Sequence, residues 1–255
     1  MRYLILSDIH ANLEALEAVL ASAPPYDHVL LLGDYVGYGA DPNAVIDRVR
    51  QLPVAAQIRG NHDKVAVGVG DVEEFNRIAR EAIMWTARML TPDNRAWLAA
   101  LPQGPTIIDG SIEICHGTTF DEDVYVFDDL DALRSIRSAR RPLCLYGHTH
   151  VPAVYRLVRD SPDPSDGAGA SLDLIGPRRG PAFTLSLEAA AQYLVNCGAV
   201  GQPRDGDARA ACGLVDTGAR SVLLLRTTYD LAAAQAKIIE AGLPEMLAHR
   251  LGVGR

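Results

Sequence analysis

The chain has 255 residues, 48% hydrophobic and 22% charged, a balance that excludes wholesale disorder and suits one α/β domain or one domain with insertions. Its formal net charge of -8 argues against tight binding to nucleic acid or an anionic membrane, because both need concentrated Lys and Arg. Phosphate substrates remain open, since bound divalent cations can supply positive charge locally.

Residues 3–6 read as a strand, too short and too soon interrupted for the core of a signal peptide. Leu13, Leu16, Val19 and Leu20 follow at helical spacing until Pro24 and Pro25 end the helix. Residues 29–32 form the next strand, stopped at Gly33. Pro42 opens a helix through Val45, Ile46 and Val49, and residues 54–58 give a third strand before Gly60. This β-α-β-α-β rhythm predicts a largely parallel sheet with right-handed crossovers.

From Asp71 to about Leu101 the pattern is helical. Phe75, Ile78, Ala82, Ile83, Trp85 and Met89 make one apolar face, and Thr91 with Pro92 caps and opens a second helix. With no strand between them, these helices read as an insertion at about 71–101 over one edge of the fold, either a lid or an interface. The second half reads mostly as β, with strands at 106–108, 112–115, 143–146, 153–157, 192–195, 213–216 and 221–226. Residues 159–181, rich in Pro, Gly, Ser and Asp, read as a flexible exposed loop. A last helical stretch begins near Leu231 and breaks near Gly242 and Pro244. No tandem repeat or internal boundary appears, so residues 1–255 read as a single domain. No apolar run reaches the roughly 18 residues that cross a bilayer.

Cys115 and Cys144 lie in apolar runs and read as reduced, buried residues. A Cys197–Cys212 disulfide is the alternative for the other two, but nothing points to an oxidising compartment, so the expected location is cytoplasmic.

The histidines carry the chemistry. Five of the seven (His10, His62, His116, His148 and His150) stand in short polar segments directly after strand-like runs, alongside Asp8, Asp34, Asn61 and Asp63. Residues just past strand C-termini of a parallel sheet converge on one rim. Side chains two apart on an extended segment share a side, which lets Asp8 and His10 face one ion, and likewise His148 and His150. Mixed Asp, His and Asn donors suit manganese, iron, zinc or cobalt better than an all-oxygen calcium site or a thiolate zinc site. Each fragment by itself reads as an ordinary turn; the ordered set, one piece per strand end, does not. His28 and His249 fall outside it and read as surface or capping residues.

The series Asp8-x-His10, Gly33-Asp34, Gly60-Asn61-His62-Asp63, His116 and Gly147-His148-x-His150 resembles the calcineurin-like metallophosphoesterase superfamily. The segments SDIHANLEAL, GDYVGYGADPN, YGHTHVP and NCGAVGQPRDGD are similar to its small bacterial and archaeal phosphodiesterase branch. The resemblance spans nearly the whole chain. It implies an α/β fold, a four-layer αββα sandwich of two mixed β-sheets flanked by helices. It implies two divalent metal ions, with manganese first and iron, zinc, nickel or cobalt as alternatives. Asp8, His10, Asp34 and His150 would hold one ion; Asp34, Asn61, His116 and His148 would hold the other. A hydroxide bridging ions about 4 Å apart would attack a phosphodiester or nucleotide-type ester. His62 would be a catalytic non-ligand that stabilises the transition state and protonates the leaving group. Asp63 would either orient His62 or serve the turn.

Ala11 stands where many relatives have Gly, and Cys197 and Ala199 replace Pro and Ser of the family segment. The arginine that protein phosphatases of the superfamily carry after Gly-Asp is missing from residues 33–39, which disfavours a phosphoprotein substrate. Asn12, Tyr35, Tyr38 and Arg204 are candidates for the wall of the substrate pocket. The expected partner is a small phosphate ester, with no membrane, nucleic acid disfavoured and a homo-oligomer open. A nuclease is the first rival, countered by the acidic balance and the lack of a basic stripe. A phosphomonoesterase or protein phosphatase is the second. A metal-binding scaffold is the non-enzyme reading, countered by the full donor set and His62.

Overall fold

In the computed structural model, which describes residues 1–159, 169–176 and 180–255, the first strand shows how the layers arise. Every side chain from Tyr3 to Leu6 is buried. Because successive residues face opposite ways, Leu4 and Leu6 enter one core while Tyr3 and Ile5 enter another.

The first half of the chain runs β1 (Arg2–Leu6), α1 (Leu13–Ser22), β2 (His28–Leu31), α2 (Pro42–Val49), β3 (Val54–Gln57), α3 (Asn61–Ala66), α4 (Arg77–Met89) and α5 (Pro92–Ala99). It continues with β4 (Thr106–Ile108), β5 (Ile112–Ile114), α6 (Asp129–Ser138), β6 (Leu143–Tyr146), β7 (Ala153–Arg159) and β8 (Ala170–Gly176). The remainder is β9 (Ala182–Ser186), β10 (Ala191–Asn196), β11 (Ala210–Asp216), β12 (Ser221–Thr227), α7 (Leu231–Glu240) and α8 (Glu245–Val253).

The strands form two six-stranded sheets, ordered β3-β2-β1-β11-β12-β9 and β4-β5-β6-β10-β7-β8. Each is mixed. In sheet one β1, β2 and β3 are parallel; in sheet two β5, β6 and β10 are parallel; the flanking pairs are antiparallel. Tyr3, Ile5, Leu30 and Leu32 of sheet one meet Ile114, Leu145, Tyr193 and Val195 of sheet two, which makes the inner core. Leu16, Val19, Val45 and Ile46 of α1 and α2 cover the outside of sheet one. Ala132 and Ile136 of α6 cover Cys144, Tyr146 and Leu194 on the outside of sheet two. The result is the four-layer αββα sandwich, not one doubly wound sheet.

Of the helical stretch expected from Asp71 to about Leu101, α4 begins only at Arg77, capped by Asn76, and α5 is capped by Thr91 ahead of Pro92, while Val72–Glu74 is a short 3-10 turn and Phe75 is extended. The two helices stand beside α2 through Asn94 to Asp47 (3.0 Å) and Arg50 to Asp93 (2.6 Å). One correction concerns 159–181. Ala170–Gly176 is not loop but strand β8, paired antiparallel to β7; residues 160–168 and 177–179 of that segment lie outside the described residues. As an edge strand β8 buries little, so its apolar signal is weak and its Gly- and Pro-rich neighbours dominate the composition. Helix α6 and strand β9 also carried too short an apolar pattern to be read. All four cysteines are free and buried, so Cys197 and Cys212 are not bridged. No helix among the described residues is long and apolar enough to cross a membrane.

Candidate metal centre

The strand ends converge as the parallel order dictates. Asp8 follows β1, Asp34 follows β2, Asn61 opens α3 after β3, His116 follows β5, and His148 and His150 follow β6. All six are buried, as is His10. Asp8 (φ 53°), His10 (48°), Asp34 (55°), His148 (66°) and His150 (59°) all take left-handed backbone conformations. Such residues are uncommon outside glycine and cost about 1–3 kcal/mol each, so five together mark a site whose surroundings over-determine its geometry. Two glycines permit the close approach: a Cβ on Gly60 would collide with Asp34 Oδ1, and one on Gly147 with Ser7 Oγ.

One potential ligand atom from each of Asp8, His10, Asp34 and His150 lies within 4.8 Å of the others, and Asp34, His116 and His148 form a second such group. Asp34 belongs to both. Its Oδ2 stands 3.5 Å from His10 Nε2 and 3.4 Å from His116 Nε2. Asn61 Oδ1 is 3.2 Å from His116 Nε2 and adds the amide oxygen to the second group.

Hydrogen bonds set the ring tautomers. Nδ1 of His10 donates to Val36 O (3.0 Å), Nδ1 of His116 to Leu32 O (2.8 Å) and Nδ1 of His150 to Gln202 O (2.7 Å). Their Nε2 atoms therefore point into the centre. His148 is reversed: Nε2 donates to Asp123 O (3.1 Å), which leaves Nδ1 as its inward atom. Burial lowers His10 to about 4 and His148 to about 3, and holds His150 well below its ordinary value, so these rings are neutral. Burial pushes His116 down as well, but the neighbouring Asp34 carboxylate outweighs it and raises the ring to about 10. A cation at that point would take the proton's place.

The donor set fits a pair of cations on two observations. Nε2 of His10 and Nε2 of His150 face each other at 3.0 Å although each Nδ1 carries the proton, an arrangement of opposed lone pairs. Asp34 Oδ2 is buried with no hydrogen-bond partner, in a position shared by both groups. A buried unpaired carboxylate oxygen is costly unless an ion meets it.

His62 lies beside this centre but outside both groups. Its ring sits among Tyr38 (4.5 Å), His10 (4.8 Å) and Phe75 (4.9 Å), and Nδ1 is buried without a partner. Burial keeps His62 well below its ordinary pKa. Asp63 does not touch the His62 ring. Its carboxylate accepts from the amides of Asp34 (2.7 Å), Tyr35 (2.9 Å), Val36 (3.2 Å) and Gly60 (2.8 Å), and so ties the Gly-Asp turn to the Gly-Asn-His-Asp turn. Burial and Asp34 push Asp63 upward; four amide donors oppose them, and with both oxygens accepting, the ionised form is the one this geometry serves.

A model of the calcineurin-like phosphoesterase superfamily domain matches residues 1–220. The chain belongs to that family. A crystal structure of a metallophosphoesterase from Sphaerobacter thermophilus is 38% identical, with a TM-score of 0.83 over 100% of this chain and 99% of that one. An uncharacterised protein of Methanocaldococcus jannaschii is 32% identical over 98% of this chain and 97% of its own length. The crystal structure of a protein from Pyrococcus horikoshii, 18% identical, shares the fold with a TM-score of 0.75 over 100% of this chain and 98% of that one.

The pocket of this calcineurin-like chain is an opening of about 360 Å³ beside Asn61, His62 and His148, walled by Tyr38, Phe75, Tyr125 and Arg204. Two of the four wall candidates therefore reach it and two do not. Arg204 donates to Tyr38 Oη (3.3 Å) and Gln202 Oε1 (3.1 Å), with its guanidinium 5.6 Å from the Tyr38 ring centre. Asn12 instead caps α1 through Ala15 N and donates to Gly201 O. Tyr35 is fully buried, with Oη donating to Ile58 O. Phe75, Asp123 and Tyr125, whose ring stacks on His148 at 3.7 Å, were not singled out from sequence. Asp123 and Tyr125 lie in a segment with no apolar period and no donor motif, and Phe75 was read only as part of the apolar face of the 71–101 helices, which did not point to a pocket. Ser7, which donates to Asp8 Oδ2 (2.7 Å), and Asn196, which donates to Gly147 O (2.8 Å), do stand inside the family-like segments.

Proposed function

We propose that this chain is a two-metal phosphodiesterase acting on small phosphate esters. The observation that carries the reading is the shared Asp34 Oδ2, buried, without a hydrogen bond and common to both donor groups. Asp8, His10, Asp34 and His150 hold one divalent ion; Asp34, Asn61, His116 and His148 hold the other. When bound, such ions lower the pKa of water and neutralise developing charge on phosphorus. Mixed nitrogen and oxygen donors without thiolate support manganese, and free buried cysteines support a cytoplasmic setting.

The chain's own residues do the rest. Ser7, Asp123 and the backbone carbonyls of Val36, Leu32 and Gln202 fix the orientation of the donors before any substrate arrives. His62, held by Tyr38 and Phe75 with Nδ1 buried against Gly37, presents its other ring nitrogen, Nε2, to the opening, stabilises the phosphoryl oxygens and delivers a proton to the leaving oxygen. A bound anion restores the protonated ring that burial otherwise disfavours. Arg204 grips a phosphoryl oxygen from outside the segment where the protein phosphatases keep their arginine. The open pocket leaves room for an ester arm on each side of phosphorus, which favours diesters.

The test is His62→Ala in manganese-reconstituted protein with bis-p-nitrophenyl phosphate. Metal content should stay at the wild-type level while kcat falls about 10²–10⁴-fold. Turnover at the wild-type rate in that variant removes His62 from the mechanism. Wild-type protein that hydrolyses neither a diester nor a monoester with manganese, nickel, cobalt, magnesium or zinc removes the enzyme reading altogether.

A further inference from the structure

The pocket beside the metal centre is more basic than one phosphodiester requires. Its lining includes Lys64, Arg204, Arg250 and Arg255 against Glu74 and Asp123, in a chain whose net charge is -8. Lys64 is already matched by Asp123 (2.5 Å) and Glu122 (3.1 Å). Arg204 donates only to uncharged groups. Among the described residues Arg250 and Arg255 have no carboxylate partner and no side-chain hydrogen bond. Arg250 at the end of α8 gains a little from the helix dipole, but that does not account for three arginines gathered on one opening.

The fold holds them there. Helix α8 ends on Gly254 in a left-handed conformation (φ 63°), and Gly254 O accepts from Gly206 N at 2.9 Å. A Cβ on Gly254 would crowd the Asp207 backbone, so the glycine is what lets the end of α8 press against the loop that carries Arg204. On the helix's other side Leu247, Ala248 and Leu251 pack with Tyr38, Ala79 and Ala234, which fixes its rotation.

We propose that Arg250 and Arg255, with Arg204 between them and the metal centre, form a subsite for a second phosphoryl group of the substrate. The preferred ligands are then diphosphate-type compounds, with one phosphoryl group at the metals and another at the arginines. This rests on the catalytic reading above only for the position of the first group. Two carboxylates, Asp8 and Asp34, leave two divalent ions with a positive excess that one phosphoryl group and its attacking oxygen largely cancel. The unmatched arginines are additional to that excess, and each invites a charge-assisted contact with phosphate.

Non-hydrolysable probes test it without reference to turnover. Calorimetric titration of manganese-loaded protein compares methylenediphosphonate with methylphosphonate at fixed free manganese. The wild type should bind the diphosphonate at least about tenfold more tightly, and Arg255→Gln and Arg250→Gln should each remove up to about tenfold of that preference. Arg255 is exposed, so its variant keeps the test valid even if Arg250→Gln lowers the melting temperature. Arg134→Gln, which removes one exposed charge on α6, should retain the preference. Equal affinities in the wild type, no binding of either probe, or a preference retained in both pocket variants each overturn the subsite. Absence of hydrolysis with any ester would instead strike the catalytic reading, and the binding ratio would still decide this one.

Discussion

Sheet one and sheet two bring different chemistry to the same rim. From the ends of β1, β2 and β3 come both carboxylates, the Asn61 amide and His10; from β5 and β6 come His116, His148 and His150 and no carboxylate at all. Neither sheet alone offers both the charge and the nitrogen donors of a complete site. The first donor group is mostly sheet one with His150 reaching over, and the second pairs Asp34 and Asn61 with two histidines of sheet two. Direct bonds already cross the gap, His116 Nδ1 to Leu32 O and His148 N to Asp8 Oδ1 (3.0 Å). A metal pair would join the two layers of the sandwich at its functional edge.

The largest effect is expected from Asp34→Asn, which removes the only carboxylate common to both groups. It should cost several kcal/mol of transition-state stabilisation, about three powers of ten in kcat, with both ions lost by elemental analysis. His150→Ala, by contrast, should lower the stoichiometry toward one. Equal loss in both variants would mean the two groups are not separate sites. Next in size is Asp63→Ala. Four amides lose their acceptor while no donor is touched, so metal affinity should fall about 10–100-fold in a competition assay with a chelator; unchanged affinity would reduce Asp63 to a turn residue.

Chelation asks whether the ions join the sheets. At a metal concentration of 100 times Kd each site contributes about 2.7 kcal/mol, so the urea midpoint should drop when chelator is added. A midpoint indifferent to chelator breaks the idea. The smallest effect lies off the centre. Burial pushes Glu122 up, but Arg59 (2.8 Å) and Lys64 (3.1 Å) outweigh it and hold the carboxyl below its ordinary 4.5. A depressed folded pKa contributes stability above about pH 4.5 that is lost as pH falls through the folded value. Glu122→Gln should therefore be destabilising near pH 7 and converge on the wild type in acid, read from urea midpoints across pH. A difference that is the same at every pH points to shape rather than charge.

The donors were legible because each one ends an apolar strand: Leu6 before Asp8, Leu32 before Asp34, Ile58 before Asn61, Cys115 before His116, Tyr146 before His148. The two sheets were legible only through the family likeness, since the β-α-β-α-β opening alone suggests one parallel sheet. Helix α6 escaped because its buried face is Ala132, Ser135 and Ile136, too small for a periodic signal, and β8 because an edge strand keeps Leu174 exposed. Arg250 and Arg255 were invisible for another reason. An arginine near a helix end reads as solvated surface until the tertiary contact at Gly254 turns it toward a pocket. Asn12 and Tyr35, adjacent in sequence to the donors, turned out to brace the backbone, because nearness along the chain says nothing about which way a side chain leaves a tight turn.

The left-handed backbone at Asp8, His10, Asp34, His148 and His150 has a further consequence for how such a chain can drift. Each position would be more comfortable as glycine, so the centre is where the molecule has most stability to gain by giving up its work. A lineage released from catalysis should fill these five positions with glycine or asparagine before its core changes. Their persistence as aspartate and histidine in any descendant is then a sign of continued selection on chemistry, independent of any assay.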